Sequence, residues 1–329
     1  MIDNDMLATG SDGSQARLVM PRMRVIIDND FSGDPDDLFQ LVHHVLSPSI
    51  EIPLIIGSHL SVGDEWDPSD IQATNAKARA DQTLQVMGLE GRFKVVEGSN
   101  TALSNRQTRK PSAAAEGIIA EAMREDKRPL FVVCGAGLTD LASAYLMQPK
   151  IAKRLTVIWI GGPEYSDLAP TAPDVGQYEY NQRIDPLAAQ VVFNDSDLEL
   201  WHVSRSAYRE PLISFAEILT KVKPMGAIGQ FLFESIVRIY KWRNDLSRGL
   251  GETYILGDQP LVTLTALQAS FHPDPSSCTF VARPAPTIND GGSYDQNPNG
   301  RLIRIYTHTD VRLTFEDFFQ KLAMFAGHN

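Results

Sequence analysis

The sequence predicts a single α/β domain built on an open, mostly parallel sheet flanked by helices. Short apolar runs alternate with helix-length segments through the first two thirds of the chain, the pattern of parallel strands joined by crossover helices. Glycine-rich turns follow several of these runs, and 43% hydrophobic against 22% charged residues supplies one sizeable core while excluding a disordered or fibrous chain.

Residues 24–29 form the first apolar run, and helical periodicity then occupies 36–46. A strand at 50–57 and a long helix over 69–87 follow. The next strands fall at 93–97, 130–134, 155–160 and 198–203, with helices at 112–126, 138–147 and from Asp185 onward between them. Gly135-Ala136-Gly137 makes a tight strand-to-helix turn, and 161–176 is a Gly/Pro-rich loop. In the last third, 212–221, 227–240, 260–269 and 314–325 read as helices and 279–283 and 302–307 as strands. The Pro/Gly/Asn/Asp-rich stretch 284–300 reads as a loop or hairpin. Residues 1–22 read as a polar leader and 23–329 as the domain.

Across its 329 residues, 30 Lys and Arg face 41 Asp and Glu, a net charge of −11 that disfavours nucleic acid as a partner. Cys134 and Cys278 lie in apolar runs without metal-site spacing, which fits a reducing compartment. No apolar run reaches the ~18 residues of a membrane span. The expected setting is therefore cytoplasmic, without a membrane partner.

The strongest local signal is Asp28-Asn29-Asp30-Phe31-Ser32-Gly33-Asp34-Pro35-Asp36-Asp37, which follows the first strand directly. In an open α/β sheet ligands bind beyond the carboxyl ends of the strands. Gathering carboxylates there costs free energy through repulsion and desolvation unless a cation or proton compensates, and oxygen-only donors point to a hard divalent ion, Ca²⁺ or Mg²⁺. The structural alternative is that Asp34, Asp36 and Asp37 only cap the next helix and complement its dipole; it leaves Asp28 and Asp30 unexplained.

With these residues in view, the chain resembles the inosine-uridine nucleoside hydrolase family, whose hallmark is a strand ending in DxD followed by a DD pair. Asp28-Asn29-Asp30 supplies the first half and Asp36-Asp37 the second, with an interval two residues longer than usual. Ile55-Ile56-Gly57-Ser58, Val132 to Asp140, Ile160-Gly161-Gly162, Glu179-Tyr180-Asn181 with Asp185-Pro186, and Gly257-Asp258-Gln259-Pro260 recur in the family's order. Together the resemblance covers about residues 24–269. It implies an open α/β sheet with the site at the strand ends, a Ca²⁺ cofactor, and a homo-oligomer acting on a small riboside. Carried over by similarity, Asp30, Asp37 and Asp258 are the side-chain ligands, and Gly135 offers its carbonyl. Asp30 is also the general base, Asp36 accepts from the 2′-hydroxyl, and Ser58, Glu179 and Asn181 complete the substrate contacts. The implied reaction is hydrolysis of a nucleoside's N-glycosidic bond.

Gly257 stands where many members carry a histidine that helps the base depart. His59, Tyr240 and Trp242, within the cluster Tyr240-Lys241-Trp242-Arg243, are the candidates to replace it, against the plain readings of a solvated loop histidine and packing aromatics. Trp201-His202 has the same standing. His43-His44 read as one surface and one core residue of the first helix, and His272-Pro273-Asp274-Pro275 as a helix stop. Three other functions fit parts of the pattern: a noncatalytic riboside binder on the same scaffold, ribosyl transfer to an acceptor other than water, and a haloacid-dehalogenase-type phosphatase using Asp28 as nucleophile.

Overall fold

A computed structural model describes residues 19–172, 176, 178–269 and 277–328. Most of the leader, the end of the 161–176 loop and the segment around His272 lie outside the described residues. The central sheet has eight strands: β1 (Met23–Asn29), β2 (Ile50–Gly57), β3 (Val95–Glu97), β4 (Leu130–Cys134), β5 (Thr156–Ile160), β6 (Glu199–Val203), β9 (Thr279–Pro284) and β12 (Leu302–His308). Two small pairs, β7 (Leu212–Ser214) with β8 (Thr253–Ile255) and β10 (Thr287–Ile288) with β11 (Tyr294–Asp295), stand apart. The order in the large sheet is β3-β2-β1-β4-β5-β6-β12-β9, parallel throughout except for β9 against β12.

The central strands β1, β4 and β5 are buried on both faces, so successive residues such as Val25-Ile26-Ile27, Leu130 to Cys134 and Val157 to Ile160 are apolar rather than alternating with polar ones. Val25 and Ile27 of β1 join one core layer and Ile26 the other, as the period of two requires. Helices α1 (Asp36–Val45), α2 (Gln72–Val86), α9 (Gly226–Asp245) and α11 (Val311–His328) cover the first layer, and α3 (Ala113–Met123), α4 (Thr139–Met147) and α6 (Pro186–Gln190) the second. The chain steps from β1 to β2 on one side and later returns to β4 on the other. Strand order therefore reverses between β1 and β4, which opens a crevice beyond Asn29 and Cys134.

Short helices α5 (Tyr180–Ile184), α7 (Arg205–Tyr208), α8 (Phe215–Glu217) and α10 (Gln259–Thr263) line the rim of that crevice or its supports. The segment expected as one helix over 212–221 begins instead as β7, because its residues pair with β8 before Ser214 caps α8 through a reciprocal bond with Glu217. The helix expected over 260–269 is only α10, after which the chain turns. Stretch 284–300 holds the β10–β11 hairpin. His43 and His44 are both buried, contrary to the surface-and-core reading: α1 is packed by α2, α10 and α11, so residues 37–45 are all enclosed. Among the described residues no helix is long and apolar enough to cross a membrane.

Candidate active site

Beyond β1 the chain turns back on itself. Gly33 N–H donates to the Asp30 carbonyl at 2.6 Å and the Asp34 carboxylate receives the Asp36 N–H at 3.4 Å. This turn spans the interval from Asp30 to α1, whose first residues, Asp36 and Asp37, line the same cavity as Asp30. Tyr254 on β8 donates its hydroxyl to Asp34 at 2.5 Å and so ties the turn to the wall opposite.

These groups line a cavity of about 310 Å³, with Asp30, Asp34, Asp36, Asp37, Gly135, Glu179, Asn181, Gly257 and Asp258 in its walls and Trp66, Tyr180, Tyr208 and Arg243 among its remaining lining residues. Asp36, Asp37 and Asp258 each place a carboxylate oxygen within 4.8 Å of the others. Burial, then the charges of Asp30 and Asp258, drives the Asp37 carboxyl well above its usual range; burial followed by Asp258 does the same to Asp30. Burial, then Asp34, raises Asp36, and burial brings Asp258 up to about 6. One oxygen of Asp37 is buried without a hydrogen-bond partner. A buried, oxygen-only donor set that resists its own ionisation, with an unpartnered oxygen inside it, is what a hard cation fits. The Gly135 residue lines the same cavity, and its carbonyl receives the Asn181 side-chain amide at 2.8 Å.

On the other side, Glu179 sits at the N-terminus of α5. Its carboxylate accepts from Gly162 N at 2.6 Å, Gln182 N at 3.1 Å and the Tyr208 hydroxyl at 2.6 Å. It is thereby fixed as a hydrogen-bond acceptor at the cavity wall. Gly257 does front the cavity, because a Cβ there would stand 3.2 Å from an Asp36 oxygen and 3.4 Å from Tyr208; it offers no proton donor.

Other candidates lie elsewhere. Ser58 is buried outside the cavity lining and hydrogen-bonds Asp28. His59 is no solvated loop histidine: it is 3% exposed, with Nδ1 at 2.8 Å from the Leu60 carbonyl and Nε2 at 2.9 Å from the Thr139 hydroxyl. Tyr240 donates to the Gly251 carbonyl, and Trp242 packs on Trp66 with ring centroids 4.9 Å apart. Of residues 240–243 only Arg243 lines the cavity. Trp201 is packing and His202 is buried, bonded to Tyr165 and the Gly161 carbonyl. Asp28, the nucleophile of the phosphatase reading, is fully buried and lines no part of the cavity. Trp66, Tyr208 and Tyr254 went unforeseen; they come from three loops or short elements with no shared motif, though Tyr180, between Glu179 and Asn181, could have been marked.

A family model described as inosine-uridine preferring nucleoside hydrolase matches residues 25–297. An inosine-uridine preferring nucleoside hydrolase of Leishmania major is 33% identical over 93 residues, a match spanning 28% of this chain and about a quarter (26%) of that protein. Among solved structures, a purine-preferring ribonucleoside hydrolase from Gardnerella vaginalis is similar at a TM-score of 0.68 and 18% identity, covering 93% of this chain and 100% of the other. An inosine-uridine preferring nucleoside hydrolase from Bacillus anthracis aligns at 0.64 and 14% identity over 92% and 99% of the two chains. At these identities the structural likeness establishes the fold, and the sequence model, which extends over most of the chain and includes every candidate ligand, establishes the kinship: the chain belongs to the inosine-uridine preferring nucleoside hydrolase family.

Proposed function

We propose that this protein hydrolyses the N-glycosidic bond of a nucleoside or related riboside, giving ribose and a free base, with Ca²⁺ held by Asp30, Asp37, Asp258 and the Gly135 carbonyl. The observation that carries the reading is the meeting of Asp258, from far along the chain, with Asp36 and Asp37 in one cavity that Asp30 also lines. Such an ion supplies charge compensation, a grip on a cis-diol and a lowered water pKa. Asp30 is the general base, its carboxylate in the cavity and its backbone fixed by the turn to Gly33. Asp36 accepts from the 2′-hydroxyl, and Glu179 and Asn181 hold the far end of the sugar. As the bond to the base lengthens, the sugar ring becomes cationic, and the surrounding carboxylates stabilise that state more than the neutral substrate.

Departure of the base is the weakly equipped step, since no histidine lines the cavity among the described residues. Trp66, Tyr180 and Arg243 offer a stacking face and hydrogen-bond donors instead. The deciding experiment is a reducing-sugar assay over several nucleosides and an activated aryl riboside, with and without chelator. Chelator-sensitive turnover, fastest for the aryl riboside, is expected; binding without turnover of any of them would favour the noncatalytic reading, and turnover that persists in chelator would remove the metal. Tyr208→Phe withdraws one of the three donors to Glu179. It is expected to raise KM about fivefold, the equivalent of one hydrogen bond of ~1 kcal/mol, with little change in kcat; equal KM values would detach Glu179 from sugar binding. The reading includes a cytoplasmic homo-oligomer, testable by fractionation and light scattering.

A further inference from the structure

Building on that reading, we infer that Asn29 is a positioning residue that sets the Asp258 carboxylate and the Asp30 and Gly135 backbones in register for cation capture. Asn29 is the unassigned middle residue of the DxD stretch and is fully buried. Its side chain reaches three of the four proposed ligand-bearing residues. The amide nitrogen donates to Asp258 Oδ2, and at 3.4 Å to Gln40 Oε1. The amide oxygen accepts the Asp30 N–H at 3.1 Å. The Gly135 Cα rests against the same amide group so closely that a Cβ there would fall 2.4–2.6 Å from its Oδ1, Nδ2 and Cγ.

The chemistry of the residue fits this place. A carboxylate that must remain charged needs a donor, a backbone N–H needs an acceptor, and a neutral amide carries both on one planar group. Aspartate at this position would set another negative charge against Asp258, and a purely apolar residue would leave the Asp30 N–H and an Asp258 oxygen unpaired in a buried setting. Gln40 fixes the amide from behind: its oxygen faces Asn29 and its nitrogen faces Nδ1 of His44, whose Nε2 is 3.0 Å from the Thr265 hydroxyl. The flat Asn29 amide also accounts for glycine at 135, because any larger residue would drive the amide off Asp258 or push its own carbonyl out of line.

The test is direct Ca²⁺ titration by calorimetry on wild type, Asn29→Ala, Gly135→Ala and the double variant, with steady-state rates measured across Ca²⁺ concentrations. Asn29→Ala is expected to weaken Ca²⁺ binding about 10- to 100-fold, the range seen when groups that orient metal ligands are removed. Its kcat should recover at saturating Ca²⁺, a rescue that a merely structural defect would not show. Gly135→Ala should weaken binding in the wild-type background yet add little once Asn29 is alanine, since the colliding amide is gone. Asn29→Ser keeps a polar group in the space and should fall between wild type and alanine; it carries the measurement if alanine does not fold. Wild-type affinity in a folded Asn29 variant, or strictly additive losses in the double variant, would overturn the inference while leaving the metal reading intact. A wild-type protein that takes up no Ca²⁺ would overturn both.

Discussion

Asp30→Asn is expected to lower kcat by about 10³-fold or more, within the range that a positioned general base contributes, while the protein stays folded. The amide keeps the size of the side chain and can still face the cavity, but it cannot take a proton. Folding should tolerate the change because the native carboxylate is held at a cost: burial and Asp258 both oppose its ionisation. The melting temperature of the metal-free variant should therefore equal or exceed that of metal-free wild type at neutral pH. Steady-state kinetics beside a thermal melt check both halves. With Ca²⁺ saturating, a variant retaining a tenth of wild-type turnover would remove Asp30 from the base role, since the amide cannot take a proton.

The second large effect is on stability. Without a cation, Asp30, Asp36 and Asp37 titrate well above the usual 3.8, and Asp258 near 6. The folded state then holds protons that the unfolded chain would release. The cluster's favourable contribution is complete below about pH 4 and is lost as pH rises through 6 and beyond. Added Ca²⁺ should reverse that loss, because it replaces the protons. The rise in melting temperature on adding Ca²⁺ to chelator-treated protein should be small at pH 5 and about 5 °C or more at pH 8, at concentrations far above the dissociation constant. Taking the difference with and without Ca²⁺ at each pH cancels groups that titrate independently, such as the buried His43 and His44, whose protonation is disfavoured by burial. A shift that is equal at both pH values, or larger at pH 5, would show that the acids are not the binding groups.

Much of this arrangement was legible before any coordinates. Apolar runs buried on both faces of a parallel sheet leave a plain trace in sequence, so the six parallel strands from β1 to β6 were located within two or three residues. Asp30, Asp36, Asp37, Gly135, Glu179, Asn181 and Asp258 all reached the cavity because each belongs to a short motif at a strand end or helix start, where chain direction fixes the side chain. The rim was not legible for the converse reason. Trp66 lies in a loop, Tyr208 ends a single-turn helix, and Tyr254 sits on a three-residue strand; none has periodic neighbours that would betray its direction. Ser58 was placed at the site by resemblance and His59 by standing next to it, but the chain after β2 turns inward and spends their polar atoms on Asp28, the Leu60 carbonyl and Thr139. The α1 histidines misled because helical patterning assumes a wet face, and this helix has none past Asp36.

One of those histidines ties the cavity to the end of the chain. His43 contacts Gln259, next to Asp258, at 2.7 Å through Nδ1, and Asp317 of α11 at 2.8 Å through Nε2. The last helix is thus a brace for the wall that carries Asp258, although none of its described residues lines the cavity. Shortening the protein before Asp317 would strip a buried imidazole of its acid and loosen the seat of a residue on which catalysis is proposed to turn.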